Sequence, residues 1–170
     1  MKRHLQYLRY VLRHKLYVFQ ECIKLGLFWA GIWHDMSKFR PDEWVPYADW
    51  FYGGGADAPE YNYGDAKSQL GDMHTRPWYK RRFDEAWNHH QKRNPHHYQY
   101  WLLTMDSGET VTLEMPDRYR REMLADWRGA GRAINGRDET LEWYTRNREN
   151  MILHPSTRAW IEHQLVYAEP

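Results

Sequence analysis

Residues 25–33 read Leu-Gly-Leu-Phe-Trp-Ala-Gly-Ile-Trp, nine positions without a polar side chain, and the run closes on His34 and Asp35. Nine residues fall far short of the roughly 20 that a bilayer requires. The run therefore predicts a short helix over 27–37, apolar nearly all round and buried within a soluble protein. A carboxylate and an imidazole at the end of a buried segment are costly unless something pairs with them. A metal ion would pair with both.

The same residue types recur in order along the chain: His14, His34 and Asp35, His89 and His90, His96 and His97, Asp126. Imidazole with carboxylate suits divalent transition metals such as Mn, Fe, Co, Ni or Zn, as one ion or two. The bulk composition excludes other classes. Lys and Arg number 24 against 23 Asp and Glu in 170 residues, so no basic stripe grips nucleic acid or an anionic membrane. The single cysteine, Cys22, permits no internal disulfide and fits a reducing compartment. The first residues do not read as a signal peptide, so a cytoplasmic protein is expected. Ten Trp and 13 Tyr suit either the walls of a polar pocket or, for most of them, the filling of a core poor in Val and Ile.

Helical periodicity dominates. Leu5, Leu8, Leu12, Leu16, Phe19 and Ile23 recur at three-to-four spacing over 3–24, with Gly26 placed to end the helix. A second stripe on a neighbouring face carries Val11, His14, Val18 and Cys22. Pro41 and Pro77 each open a further helix. Asn94 and Pro95 predict an N-cap and first turn that bring His97 into line with Trp101. Residues 101–113 suggest a small hairpin turning at Ser107 and Gly108. A helix from Asp117 carries Tyr119, Met123, Asp126 and Ala130 on one face, and two more cover about 138–152 and 156–167. Residues 53–77, with five glycines and two prolines, read as one long loop. The expected architecture is all-α, a single domain over 1–170 with at most one small hairpin.

His14, His34, His90 and Asp126 each fall on the apolar stripe of a different predicted helix. Any one buried histidine is usually a satisfied core residue, but buried carboxylates are much rarer. Together these positions predict a site at the centre of a helix bundle. The stripes favour His90 over His89 and His97 over His96, leaving His89 and His96 to support a ligand or bind substrate. His4, His74 and His163 read as surface residues, and His154 as structural. Lys38 lies one turn after His34. There its ammonium either faces the site, to hold a phosphoryl oxygen, or caps the helix C-terminus in solvent. Lys80, Arg81 and Arg82 read as a solvated helix face.

The order His, His-Asp, His, His, Asp resembles the HD-domain superfamily of metal-dependent phosphohydrolases, and His-Asp-Met-Ser-Lys over 34–38 is similar to its extended signature. More closely, His-Asp-Met-Ser-Lys-Phe at 34–39, His-His-Gln-Lys-Arg-Asn-Pro-His-His at 89–97, Met-Leu-Ala-Asp-Trp at 123–127 and Leu-His-Pro at 153–155 look like a small bacterial and phage family with no assigned reaction. The superfamily resemblance implies an HD-type helical bundle. It places His14, His34, Asp35 and Asp126 around one metal, with Asp35 bridging to a second held by His90 and His97. Ser37 stands where a glycine is common, and more than fifty residues separate the His-Asp pair from the next paired histidines.

The resulting expectation is hydrolysis of a nucleotide or related small phosphoester by a metal-activated water. Asp35 and Lys38 are the catalytic candidates, and Tyr61 and Tyr63 in the long loop are placed to close over a base or sugar. The same resemblance implies an alternative, a mixed-valent di-iron oxygenase on the same six ligands. A third reading is a non-catalytic binding module stabilised by metal.

Overall fold

The computed structural model describes residues 1–54 and 78–167. Their regular structure is seven α-helices, short 3-10 turns and one antiparallel hairpin, so the chain is all-α as the periodicity predicts. The helices are α1 (Lys2–Lys24), α2 (Phe28–Trp33), α3 (Pro41–Tyr52), α4 (Trp78–Arg93), α5 (Asp117–Asn135), α6 (Thr140–Asn147) and α7 (Pro155–Val166). Strands β1 (Leu102–Thr104) and β2 (Thr110–Thr112) pair with Leu103 opposite Val111. Nearly all of the expected loop over 53–77, including Tyr61, Tyr63 and His74, lies outside the described residues. No described helix is long and apolar enough to cross a membrane.

The chain forms two compact units, Met1–Tyr10 with Met36–His90, and Val11–Asp35 with Gln91–Pro170. The first has an aromatic core. Tyr7 is fully buried, its ring 4.7 Å from Trp44, and Phe83 of α4 lies 5.3 Å from Tyr47 and 5.0 Å from Trp50 of α3. Here Trp and Tyr fill the volume that Val and Ile fill elsewhere. Helix α3 begins with Pro41, whose fixed φ suits the first turn, and Asp42 and Glu43 add charge that favours the dipole.

The second unit is organised on α5. One face carries Met123 and Leu124 into a cluster with Met115, Tyr144, Met151, Leu153 and Ile161. Another meets α1 through Gly129. A Cβ on Gly129 would stand 2.5 Å from Val18 Cγ2 and 2.7 Å from the Val18 backbone nitrogen, so only glycine permits this approach. Val18 is one turn after His14, and Gly129 one turn after Asp126. The close crossing therefore brings the two polar side chains to the same level.

Three expectations are corrected. On α1 only one of the two apolar stripes is buried: Val11, His14, Val18 and Cys22 are at most 1 % exposed, as expected, whereas Leu5, Leu12, Leu16 and Ile23 are about half exposed. Helix α2 ends at Trp33 and is not buried all round. Only Ala30 and Gly31 are buried, because Gly31 packs against Phe19 and Cys22 on one side while Phe28, Trp29 and Trp33 face outward. No α-helix follows Asn94 and Pro95. The Trp101 indole donates to the Pro95 carbonyl at 2.7 Å, folding the segment into a turn that leads to the 3-10 helix Tyr98–Trp101.

Candidate metal centre

The site begins where α2 stops. His34 leaves the helix with ψ 128°, and Asp35 takes φ +54°, a left-handed conformation that aspartate tolerates better than most residues. Lys15 donates to the carbonyls of Ile32 (3.3 Å) and His34 (2.5 Å), tying this turn to α1. The outcome is that His34 and Asp35, adjacent in sequence, enter one buried cluster.

Four side chains of the second unit meet there, from α1 (His14), the turn after α2 (His34 and Asp35) and α5 (Asp126), and all are buried. His14 Nε2 lies 3.1 Å from Asp126 Oδ1 and 3.5 Å from Asp35 Oδ2. His34 Nε2 lies 3.2 Å from Asp126 Oδ1 and 3.3 Å from Asp35 Oδ2. Metal–ligand bonds of about 2.0–2.2 Å place neighbouring donors roughly 3.0–3.5 Å apart around an ion. Two imidazole nitrogens and two carboxylate oxygens at this spacing can hold a divalent metal ion, and the donor set suits a transition metal.

Glu122, one turn before Asp126 on α5, stands behind the histidines. Its Oε1 is 3.2 Å from His34 Nδ1 and 3.4 Å from His96 Nδ1. A carboxylate only accepts, so both Nδ1 atoms carry the proton and both Nε2 atoms face the cluster. His34, His96 and Glu122 also form a compact triad. With Nε2 of both rings directed to Asp35, that triad orients the rings.

The charges follow from this arrangement. Burial would raise the Glu122 carboxyl, but hydrogen bonds from His34 and His96 outweigh it and bring the pKa from 4.5 to about 2. Asp126, opposed by burial but bonded to His14 and His34, is held well below the usual carboxylate range. Burial would lower His34, but the charge of Asp35 and bonds from Asp126, Asp35 and Glu122 raise it well above the usual imidazole range. His96 is raised likewise, burial and the charge of His34 being outweighed by Asp35 and Glu122. The cluster thus demands positive charge, as imidazolium protons or as a bound cation.

Asp35 uses both oxygens. Oδ2 faces His14 and His34, and Oδ1 lies 3.3 Å from His96 Nε2. Asp35, His96 and His97 each offer a donor atom within 4.8 Å of the others, with the His96 and His97 rings 4.4 Å apart. His96 is 2 % exposed and His97 is half-buried at the start of the 3-10 helix. A stripe argument preferring His97 has no helix to act on here, and His96 is the one set between Asp35 and Glu122.

His90 and Lys38 belong to the first unit. His90 is buried, as its stripe predicts, with Nδ1 2.9 Å from Glu43 Oε2 and 3.3 Å from Ser37 Oγ. Ser37 in turn donates to Glu43 at 2.8 Å. His89 is about half exposed, 3.9 Å from Asp42. Lys38 is buried in the 3-10 turn Met36–Phe39, the helix expected to carry it having ended at Trp33. His154 is structural: it caps α7 by accepting from the Ser156 backbone N–H. His163 is exposed, while His4 accepts from the Trp44 indole at 3.2 Å.

Glu122 and Glu43 were not legible as site residues from histidine and aspartate spacing. Glu122 had one signal, its position four residues before Asp126 on the same helix face. A family model described as a family of unknown function (DUF5662) matches residues 3–166. No curated protein and no solved structure gives a significant match.

Proposed function

The chain belongs to that family, which names no reaction, and we propose from the buried cluster itself that the protein is a metal-dependent phosphohydrolase acting on a nucleotide or related small phosphoester. The observation that carries this reading is Asp35, whose Oδ2 faces the Nε2 atoms of His14 and His34 and whose Oδ1 faces that of His96. His14, His34, Asp35 and Asp126 would hold one divalent ion, and Asp35, His96 and His97 could hold another. A bound divalent ion would supply Lewis acidity for water activation and phosphoryl polarisation.

The chain's own residues do the rest. Glu122 fixes His34 and His96 with their Nε2 lone pairs presented. Asp35 orients the attacking water and accepts its hydrogen bond. Lys38, three residues after Asp35 in the chain, would offer its ammonium to charge developing on the phosphoryl group. Glu43 holds the His90 ring through Nδ1.

The test is phosphate release from a panel of nucleotides and small phosphoesters with Mn(II), Fe(II), Co(II), Ni(II) or Zn(II). Metal-dependent release that Asp35→Ala abolishes supports the reading. A folded, metal-loaded protein that releases no phosphate contradicts it. Oxygen consumption with a mixed-valent iron EPR signal would replace it with the oxygenase reading.

A further inference from the structure

The apolar residues that α1 and α2 turn outward form one face of the second unit. On α1, Leu12, Leu16 and Ile23 are 54 %, 54 % and 51 % exposed at helical spacing. On α2, Phe28, Trp29 and Trp33 are 49 %, 68 % and 66 % exposed. Phe19 joins the two rows: it lies one turn from both Leu16 and Ile23, and its ring meets Phe28 at 5.7 Å, with Trp29 5.3 Å further on. These side chains expose roughly 800 Å² together, beyond the 300–600 Å² of the largest apolar patch on a typical monomer.

We propose that this face is the interface of a homodimer, with the α1–α2 face of a second copy as its occupant. The area matches the roughly 800 Å² that each partner contributes to a standard interface. Its composition matches as well: aromatic and aliphatic side chains dominate, and the one ammonium among them, that of Lys15, is held by the carbonyls of Ile32 and His34. The acidic residues of this stretch, Glu21 and Asp35, are each 1 % exposed, so no carboxylate interrupts the face. The exposed cations, Arg13 and Lys24, sit about three helical turns apart, roughly 16 Å, beyond the screening length of about 8 Å. Even with the partly exposed Lys15, these cations fall short of the clusters of about 4–8 that anionic lipid surfaces recruit. A net charge of +1 leaves little repulsion between copies. An apolar face complementary to itself closes on a two-fold axis without forming a chain.

Sedimentation velocity of the full chain at micromolar concentration tests this directly. The wild type sediments at twice the mass of the chain. Trp29→Glu with Trp33→Glu raises the dimer dissociation constant at least 100-fold, while Ile134→Glu, at an exposed site on α5, leaves it unchanged. Circular dichroism checks that the helices persist. If the double variant loses them, Leu12→Lys with Leu16→Lys supplies the same reading from α1. A monomeric wild type, or a dimer that survives both pairs of substitutions, overturns the proposal. So does a monomer that co-sediments with phosphatidylglycerol vesicles, which assigns the face to lipid.

Discussion

His34 Nε2 stands 3.2 Å from Asp126 Oδ1 although 92 residues separate them, and the opposite ring nitrogen of His34 faces Glu122 at 3.2 Å. A ring held by carboxylates at both nitrogens is an imidazolium when no metal is present. A metal ion that takes the Nε2 lone pair must displace that proton. Loading metal at pH 7 is expected to release about one proton per ion or more. Titration calorimetry in buffers of different ionisation enthalpy reads the number, and buffer-independent heats would refute the arrangement.

Glu122 sets the acid limb of stability in metal-free protein. Its folded pKa of about 2 lies below the ordinary 4.5, so its contribution is present above pH 4.5 and is lost as pH falls toward 2. Asp126, held low in the same way, steepens that limb. Thermal melts in chelator should fall through this range for the wild type and fall less for Glu122→Gln. His34 acts in the opposite direction: its raised pKa gives stability at low pH that is lost as pH rises through the folded value. Glu122→Gln should also weaken metal binding about 10–100-fold without abolishing it.

Gly129 tests the helix crossing that builds the site. A methyl there meets the Val18 backbone at 2.7 Å and 2.9 Å, which no rotamer change relieves. Gly129→Ala is expected to cost about 1–3 kcal/mol net, despite alanine's better helix propensity of about 1 kcal/mol. Because His14 and Asp126 sit one turn from the crossing, metal affinity should fall with it. An unchanged melting temperature would show that the two helices are free to separate.

The paired histidines are separated by substitution. His89, half exposed beside Asp42, should be replaceable by alanine with bound metal retained. His96 lies between Asp35 and Glu122, and His96→Ala should lower metal content. Equal loss from both variants would contradict the placement of His96.

How much of this was legible in the sequence depends on which force fixed each element. Helices α1 and α5 and the hairpin follow from local spacing and turn residues, and His14, His34, His90 and Asp126 prove buried as their stripes predict. Which stripe of α1 faces inward is set by what packs on it: Gly129 and Gly31 approach Val18 and Cys22, leaving the leucines outside. The turn holding His96 depends on a hydrogen bond from Trp101 to Pro95, and no periodicity reports it. Glu122 is polar on a helix rich in charge, so only its contacts with two imidazoles reveal its role.

Metal binding by His14, His34, Asp35 and Asp126 underlies every role proposed for the cluster. It is tested most directly by counting metal ions per chain by elemental analysis after reconstitution and removal of excess ion. One to two equivalents are expected in the wild type, with a loss of bound metal in folded Asp35→Ala. A wild-type chain that retains less than about 0.1 equivalent of every divalent metal offered, or an Asp35→Ala variant that keeps the full complement, would contradict it.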